Sequence, residues 1–147
     1  MKRFEYSLQQ ILRLREYEER QAELELGRIT GECERLRREI ASLGDTSRLT
    51  ARSHVGSRSF DVSYRFGEER YIQRLHSRVK ELSRELESWE RELAKAQERF
   101  REARKKREVL SRLKARKEEH YHDEVKKERQ LVLDEVSALI WRRARDG

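Results

Sequence analysis

The stretch IQRLHSRVKELSRELESWERELAKAQERFREA, residues 72–103, decides the fold of this 147-residue chain. Its apolar residues recur at alternating steps of three and four over ten positions. That spacing is the heptad pattern of an α-helix that presents one apolar stripe to a partner helix. The stripe consists of Ile72, Leu75, Val79, Leu82, Leu86, Trp89, Leu93, Ala96, Phe100 and Ala103.

A second heptad stripe precedes it and supplies the partner. Its members are Ala22, Leu26, Ile29, Cys33, Leu36, Ile40 and Leu43. Gly44-Asp45 follows, and Ser, Thr, Gly and His residues then replace the pattern down to about residue 59, which predicts the connection. Two heptad helices joined once predict an all-α fold, a long two-helix antiparallel coiled-coil hairpin with a longer C-terminal helix.

We expect one elongated helical hairpin over residues 1–147. Helix 1 covers about 4–44, the turn about 45–59 and helix 2 about 60–143. Ser59 or Asp61 offers a side-chain oxygen to the free amides at the start of helix 2.

The composition supports this fold and excludes a thick globular core. Charged residues make up 44% of the chain, hydrophobic residues 35%, and there is no proline to break a long helix. The single cysteine, Cys33, excludes an intrachain disulfide and fits a reducing compartment, and its stripe position predicts a buried small hydrophobe. Because no apolar run is free of charges, we expect no membrane span or signal peptide, and a cytoplasmic protein.

The opening residues carry more apolar side chains than helix 2 can cover. Extending the first stripe backward places Leu8 and Leu12 toward helix 2. Phe4, Ile11 and Leu14 do not fall on this stripe and therefore do not face helix 2. With a turn centred near residue 52, Phe4 would lie opposite Phe100.

About forty residues of helix 2 would then extend beyond the paired region as a single helix. This overhang carries its own stripe, out of register with the main one: Val125, Val132, Val136, Leu139 and Ile140, followed by Trp141. An isolated helix is only marginally stable in water. We therefore interpret the surplus apolar residues at the N-terminus and the stripe of the overhang as a bipartite surface for another protein.

The positive charge is local. The formal net charge is +7, and residues 101–117 hold nine basic and two acidic side chains, which accounts for all of it. Such a run is usually a solvated helix face, but it could also bind phosphates or a carboxylate-lined protein pore. Nucleic-acid binding would normally add stacking aromatics or a compact reading module, and neither is present.

Nothing in the sequence predicts catalysis or a cofactor. There is no Gly-rich phosphate loop, no nucleophile elbow and no Cys/His cluster with zinc spacing. His120 and His122 are two residues apart, so on a helix they point in nearly opposite directions and form a poor metal pair. We expect a protein that is not an enzyme.

Three stretches resemble the FliJ family of flagellar type III export proteins. They are FEYSLQQILRLREYEERQAELELG at 4–27, YIQRLHSRVKELSRELESW at 71–89 and REARKKREVLSRLKARKEEHY at 101–121. The resemblance implies a non-enzymatic two-helix coiled coil similar to the central stalk of rotary ATPases. Its implied partners are the hexameric export ATPase, the cytoplasmic domain of the membrane export gate, and export chaperones. The implied localisation is cytoplasmic, peripheral at the inner membrane through those partners.

The resemblance also implies two contact surfaces. The terminal helical ends would enter the ATPase ring and promote its assembly and activity, with contacts from Phe4, Leu8, Ile11, Leu12, Arg104, Lys105, Arg107, Val132, Val136, Leu139 and Ile140. The individual ring-contact residues rest on the surplus apolar residues and the basic run described above, and not on a residue-by-residue match to the family. A surface near the turn would meet the export gate through Leu43, Tyr71 and Leu75, the positions that the resemblance implies. The alternatives are a stalk protein of a virulence type III secretion system and, from another class, a basic coiled-coil nucleic-acid-binding protein.

Overall fold

The chain folds as two α-helices. The computed structural model describes residues 2–56 and 61–147, and within these residues it contains no strand. Helix α1 is Gln9–Gly56, and helix α2 is Val62–Asp146. The predicted all-α class, with the longer helix at the C-terminus, is confirmed.

The first helix ends later than the sequence predicts. Residues 45–56, assigned to the turn, belong to α1. The Thr46 and Thr50 hydroxyls donate hydrogen bonds to the carbonyls of Ser42 and Thr46, at 3.0 and 2.9 Å. Threonine side chains, which favour turns, therefore find hydrogen-bond acceptors within the helix here. Because this segment contains no proline, no residue in it forces the helix to end.

The start of α2 agrees with its predicted cap. The Ser63 amide donates a 3.1 Å hydrogen bond to Asp61 Oδ1, so Asp61 caps the first turn. Ser59, the other predicted cap, lies outside the described residues.

The chain forms two compact units, and both helices contribute to each. The terminal unit is Met1–Glu19 with Ala103–Gly147, and the central unit is Arg20–Glu102. The expected single hairpin domain stays a prediction.

The central unit is held together by the two predicted stripes. Every residue of both stripes within it is buried or half-buried. Ile29, Cys33 and Ala96 form its buried cluster, against which half-buried side chains pack: Leu26, Leu86, Trp89 and Leu93. Cys33 is 0% exposed, which confirms the predicted buried small hydrophobe.

The α1 and α2 segments of the central unit run antiparallel. Arg37 pairs with Glu90 at 3.1 Å, and farther along α1, Ser47 Oγ lies 3.4 Å from His76 Nε2. Residue numbers rise on α1 as their partners fall on α2, as in an antiparallel hairpin.

Candidate protein interaction surfaces

Residues 2–8 precede α1 and are not helical, although the sequence predicts a helix from about residue 4. They are fixed to α2 of the terminal unit through Tyr6, which is only 7% exposed. The Tyr6 hydroxyl donates a 3.1 Å hydrogen bond to the Leu110 carbonyl, and the Lys117 ammonium lies 5.8 Å from the Tyr6 ring centre. We call residues 2–8 the N-terminal strap.

A second tyrosine fixes the beginning of the strap. The Tyr121 hydroxyl donates a 2.7 Å hydrogen bond to the Lys2 carbonyl, and its ring lies 5.5 Å from that of Phe4. The expectation that Phe4 lies opposite Phe100 is therefore wrong. Because α1 continues past the predicted turn, an N-terminal residue reaches a position farther along α2.

The first turns of α1 divide their apolar residues as the stripe predicts. Leu12 is 3% exposed and Leu8 is half-buried, whereas Ile11 is 44% and Leu14 is 52% exposed. Ile11 is thus available to a partner, but the Leu12 side chain is already covered by the chain's own packing.

An ion pair joins α1 and α2 in the terminal unit. Arg107 Nε and Nη2 donate hydrogen bonds to the two carboxylate oxygens of Glu19, at 2.6 and 3.2 Å. These hydrogen bonds hold the pKa of Glu19 below its ordinary value of 4.5, against the opposing effect of burial. Of the cations predicted to meet a partner, Arg107 is committed to this pair, Arg104 pairs with Glu108 at 3.0 Å, and Lys105 is exposed.

The last turns of α2 expose an apolar surface. From residue 126 to residue 147 every residue is exposed. At about 100° per residue, five apolar side chains there fall within roughly 120° of the helix circumference. We call these five the C-terminal apolar face: Val132, Leu133, Val136, Leu139 and Ile140, which are 46–63% exposed. A stripe of this width is typical of a helix that packs against an apolar partner surface.

Two exposed residues beside this face are not among the predicted contacts. Leu131 and Trp141, 63% and 66% exposed, lie outside the arc. Leu133 also belongs to the face, but the heptad spacing does not predict it, because that spacing marks one line of positions and not the full width of a helix face.

The residues expected to contact an export gate lie in the central unit. Tyr71 is 41% exposed, Leu43 is half-buried and Leu75 is only 9% exposed. Of these three, Tyr71 offers the most surface to a partner. Other exposed apolar residues of this unit near the ends of the two helices are Leu49, Val62, Tyr64 and Phe66.

The described residues offer no metal-binding group. Among them no three His, Cys, Asp or Glu side chains lie close enough to hold an ion. His120 and His122 are both exposed on α2. In the same part of the chain, neither helix is apolar enough over a sufficient length to cross a membrane.

The chain matches one family among known proteins. The family model described as "Flagellar FliJ protein" matches residues 4–146, nearly the whole chain. No curated protein and no solved structure matches significantly.

Proposed function

Since the chain belongs to the FliJ family of flagellar proteins, we propose that it is a non-enzymatic stalk component of flagellar type III protein export. In this proposal its terminal unit binds the hexameric export ATPase and favours the assembled, active ring. A surface of the central unit around Tyr71 binds the cytoplasmic domain of the export gate. The protein would work at the cytoplasmic face of the membrane through these partners, with export chaperones as a further partner class.

The C-terminal apolar face is the observation that carries the proposal. Leu139 and Ile140 are 58% and 63% exposed at the end of a long helix, which is costly in water unless a partner covers them. An apolar collar in a ring would cover such a helix end. Stalk binding would stimulate the ring by mass action, because a ligand that prefers the assembled state shifts the equilibrium toward it.

The structure changes which predicted residues we assign to this contact. We keep the C-terminal apolar face, Ile11 and Lys105, which are exposed. We leave out Leu12 and Arg107, because Leu12 is buried and Arg107 is paired with Glu19. Phe4 and Leu8 are half-buried and would support the contact from beneath.

The family match also bears on the alternatives. Its description is flagellar, which supports a flagellar role over a virulence secretion stalk. The nucleic-acid alternative predicts binding that falls steeply with salt, whereas an apolar anchor predicts binding that partly survives it.

The test is ATP hydrolysis by the cognate export ATPase, titrated with the full chain at two salt concentrations. We expect stimulation by the full chain and none by a chain truncated after Gln130. Leu139→Asp combined with Ile140→Asp should abolish stimulation as well. Leu24→Asp is the matched control, since Leu24 is 68% exposed on α1 and lies outside the proposed contact. Equal stimulation by the full and truncated chains would refute the proposed contact.

A further inference from the structure

An open groove in the terminal unit brings three cations together from three segments. Arg3 comes from the N-terminal strap, Arg13 from α1 and Lys114 from α2. The groove has a volume of about 630 Å³. The remaining lining residues are Phe4, Glu5, Tyr6, Ser7, Gln9 and Gln10.

The charges of this groove are not balanced by the chain itself. Glu5 is the only carboxylate in the lining, and no carboxylate of the described residues forms an ion pair with Arg3, Arg13 or Lys114. Arg104 of α2 in the same unit differs in this respect, since it pairs with Glu108. Like charges held together by the fold raise the local positive potential and favour an anionic partner.

The strap creates the groove. Tyr6 and Tyr121 hold residues 2–8 against α2 through hydrogen bonds to main-chain carbonyls, and this attachment places Arg3 beside a cation from each helix. If residues 2–8 continued α1 as a helix, Arg3 would not be held by these two bonds. Of the three cations only Lys114 belongs to the basic run at 101–117, so the site is a product of the tertiary fold.

We infer that this groove binds a carboxylate-rich segment of a protein partner. Arginine binds carboxylates with two parallel hydrogen bonds, and the side-chain amides of Gln9 and Gln10 add neutral donors. A small phosphate ion in an open groove would keep much of its water, whereas an extended chain with spaced carboxylates can contact all three cations at once. The assignment goes beyond the stalk proposal, since it needs neither the ATPase nor the C-terminal apolar face.

The experiment uses the full chain and a fluorescently labelled oligo-glutamate peptide, with binding followed by anisotropy at about 0.1 M salt, where the screening length is about 10 Å. Replacing Arg3, Arg13 and Lys114 together by alanine should weaken binding about tenfold, the sum expected of three exposed ion pairs. The matched control replaces Lys106, Lys126 and Arg129, which are exposed on α2 and outside the groove lining. The control removes the same charge and should change binding by less than about twofold, because screening limits the effect of distant charges.

A second measurement does not depend on the variants remaining folded. In the unaltered protein, the peptide should shift the amide resonances of Gln9 and Gln10 more than those of Lys105 and Lys106. Equal weakening by the two triple variants, or shifts centred on residues 105–106, would mean that only net charge acts and would overturn the inference. Tighter binding of pyrophosphate or single-stranded DNA to the same groove would overturn it too, as would no binding of the peptide.

Discussion

The ion pair between Glu19 and Arg107 fixes how α1 and α2 meet in the terminal unit, and replacing Glu19 by alanine should destabilise that unit. Glu19 and Arg107 occupy positions that continue the two apolar stripes. A charged side chain at such a position is destabilising unless it pairs with the opposite charge. Their side chains are 17% and 26% exposed, so the pair is more sheltered than the exposed ion pairs along the two helices, such as that of Arg37 with Glu90. A polar pair in an apolar seam is a known way to fix the register of two helices.

The expected loss in the free energy of unfolding lies between the values for an exposed and for a fully buried ion pair. An exposed ion pair contributes about 0.2–1 kcal/mol, and breaking a fully buried pair costs about 3–5 kcal/mol. The Glu19–Arg107 pair is partly buried and has two hydrogen bonds, at 2.6 and 3.2 Å. We therefore expect Glu19→Ala to lower the free energy of unfolding by about 1–2.5 kcal/mol. Replacing both residues by leucine should recover most of this loss, since an apolar pair leaves no charge unpaired.

Urea unfolding followed by far-UV circular dichroism measures these changes. The control pair is Glu25 with Arg28, which has similar two-bond geometry but lies exposed on α1, so Glu25→Ala should have no measurable effect. A double-mutant cycle over Glu19 and Arg107 should give a coupling of at least about 1 kcal/mol. A coupling near zero would refute the view that this pair holds the seam together.

The same pair predicts a pH dependence of stability. The pKa of Glu19 is lower in the folded chain than its ordinary value of 4.5, so its contribution is complete above pH 4.5. The contribution is lost as the pH falls through the folded pKa. The stability difference between the unaltered chain and Glu19→Gln should therefore be constant from neutral pH to about pH 4.5 and should narrow below it.

Three further predictions test other parts of the structure. Gly44→Ala should raise stability by about 0.5–1 kcal/mol in urea unfolding, because Gly44 is helical and nothing lies within 4 Å of an added Cβ; a loss would restore the predicted turn. Cys33 should resist a thiol reagent in the native protein and react once urea is added, whereas rapid native labelling would contradict its burial. Tyr121→Phe should speed tryptic cleavage after Lys2 and Arg3, because it removes the hydroxyl that holds the strap; unchanged cleavage would contradict that role.

The stripes could be predicted from the sequence because a heptad pattern reports burial directly. Positions such as Ile29, Leu36 and Leu82 are buried where the spacing places them. The end of α1 could not be predicted in the same way. Thr46 and Thr50 can satisfy their hydroxyls either in a turn or by donating to a carbonyl one turn back in a helix, and composition does not separate these outcomes.

The strap could not be predicted for a different reason. Tyr6 donates to a carbonyl 104 residues away, and a single long-range hydrogen bond leaves no periodic trace in the sequence. Phe4 can be recognised from the sequence as a surplus apolar residue, but its partner on α2 depends on where α1 ends. The late end of α1 thus accounts for both errors, the position of the turn and the residue opposite Phe4.

The two halves of the proposed ATPase contact are not equally exposed in the fold. The sequence groups the apolar residues of both termini into one bipartite surface, but the fold uses Tyr6 and Leu12 for its own packing and leaves the C-terminal apolar face exposed. Binding energy should therefore come mainly from Leu139, Ile140 and their neighbours, with Ile11 contributing less. Ile11→Asp should consequently reduce ATPase stimulation by less than the Leu139→Asp and Ile140→Asp pair does. The opposite order in the hydrolysis assay would show that the N-terminal side of the terminal unit is the main contact.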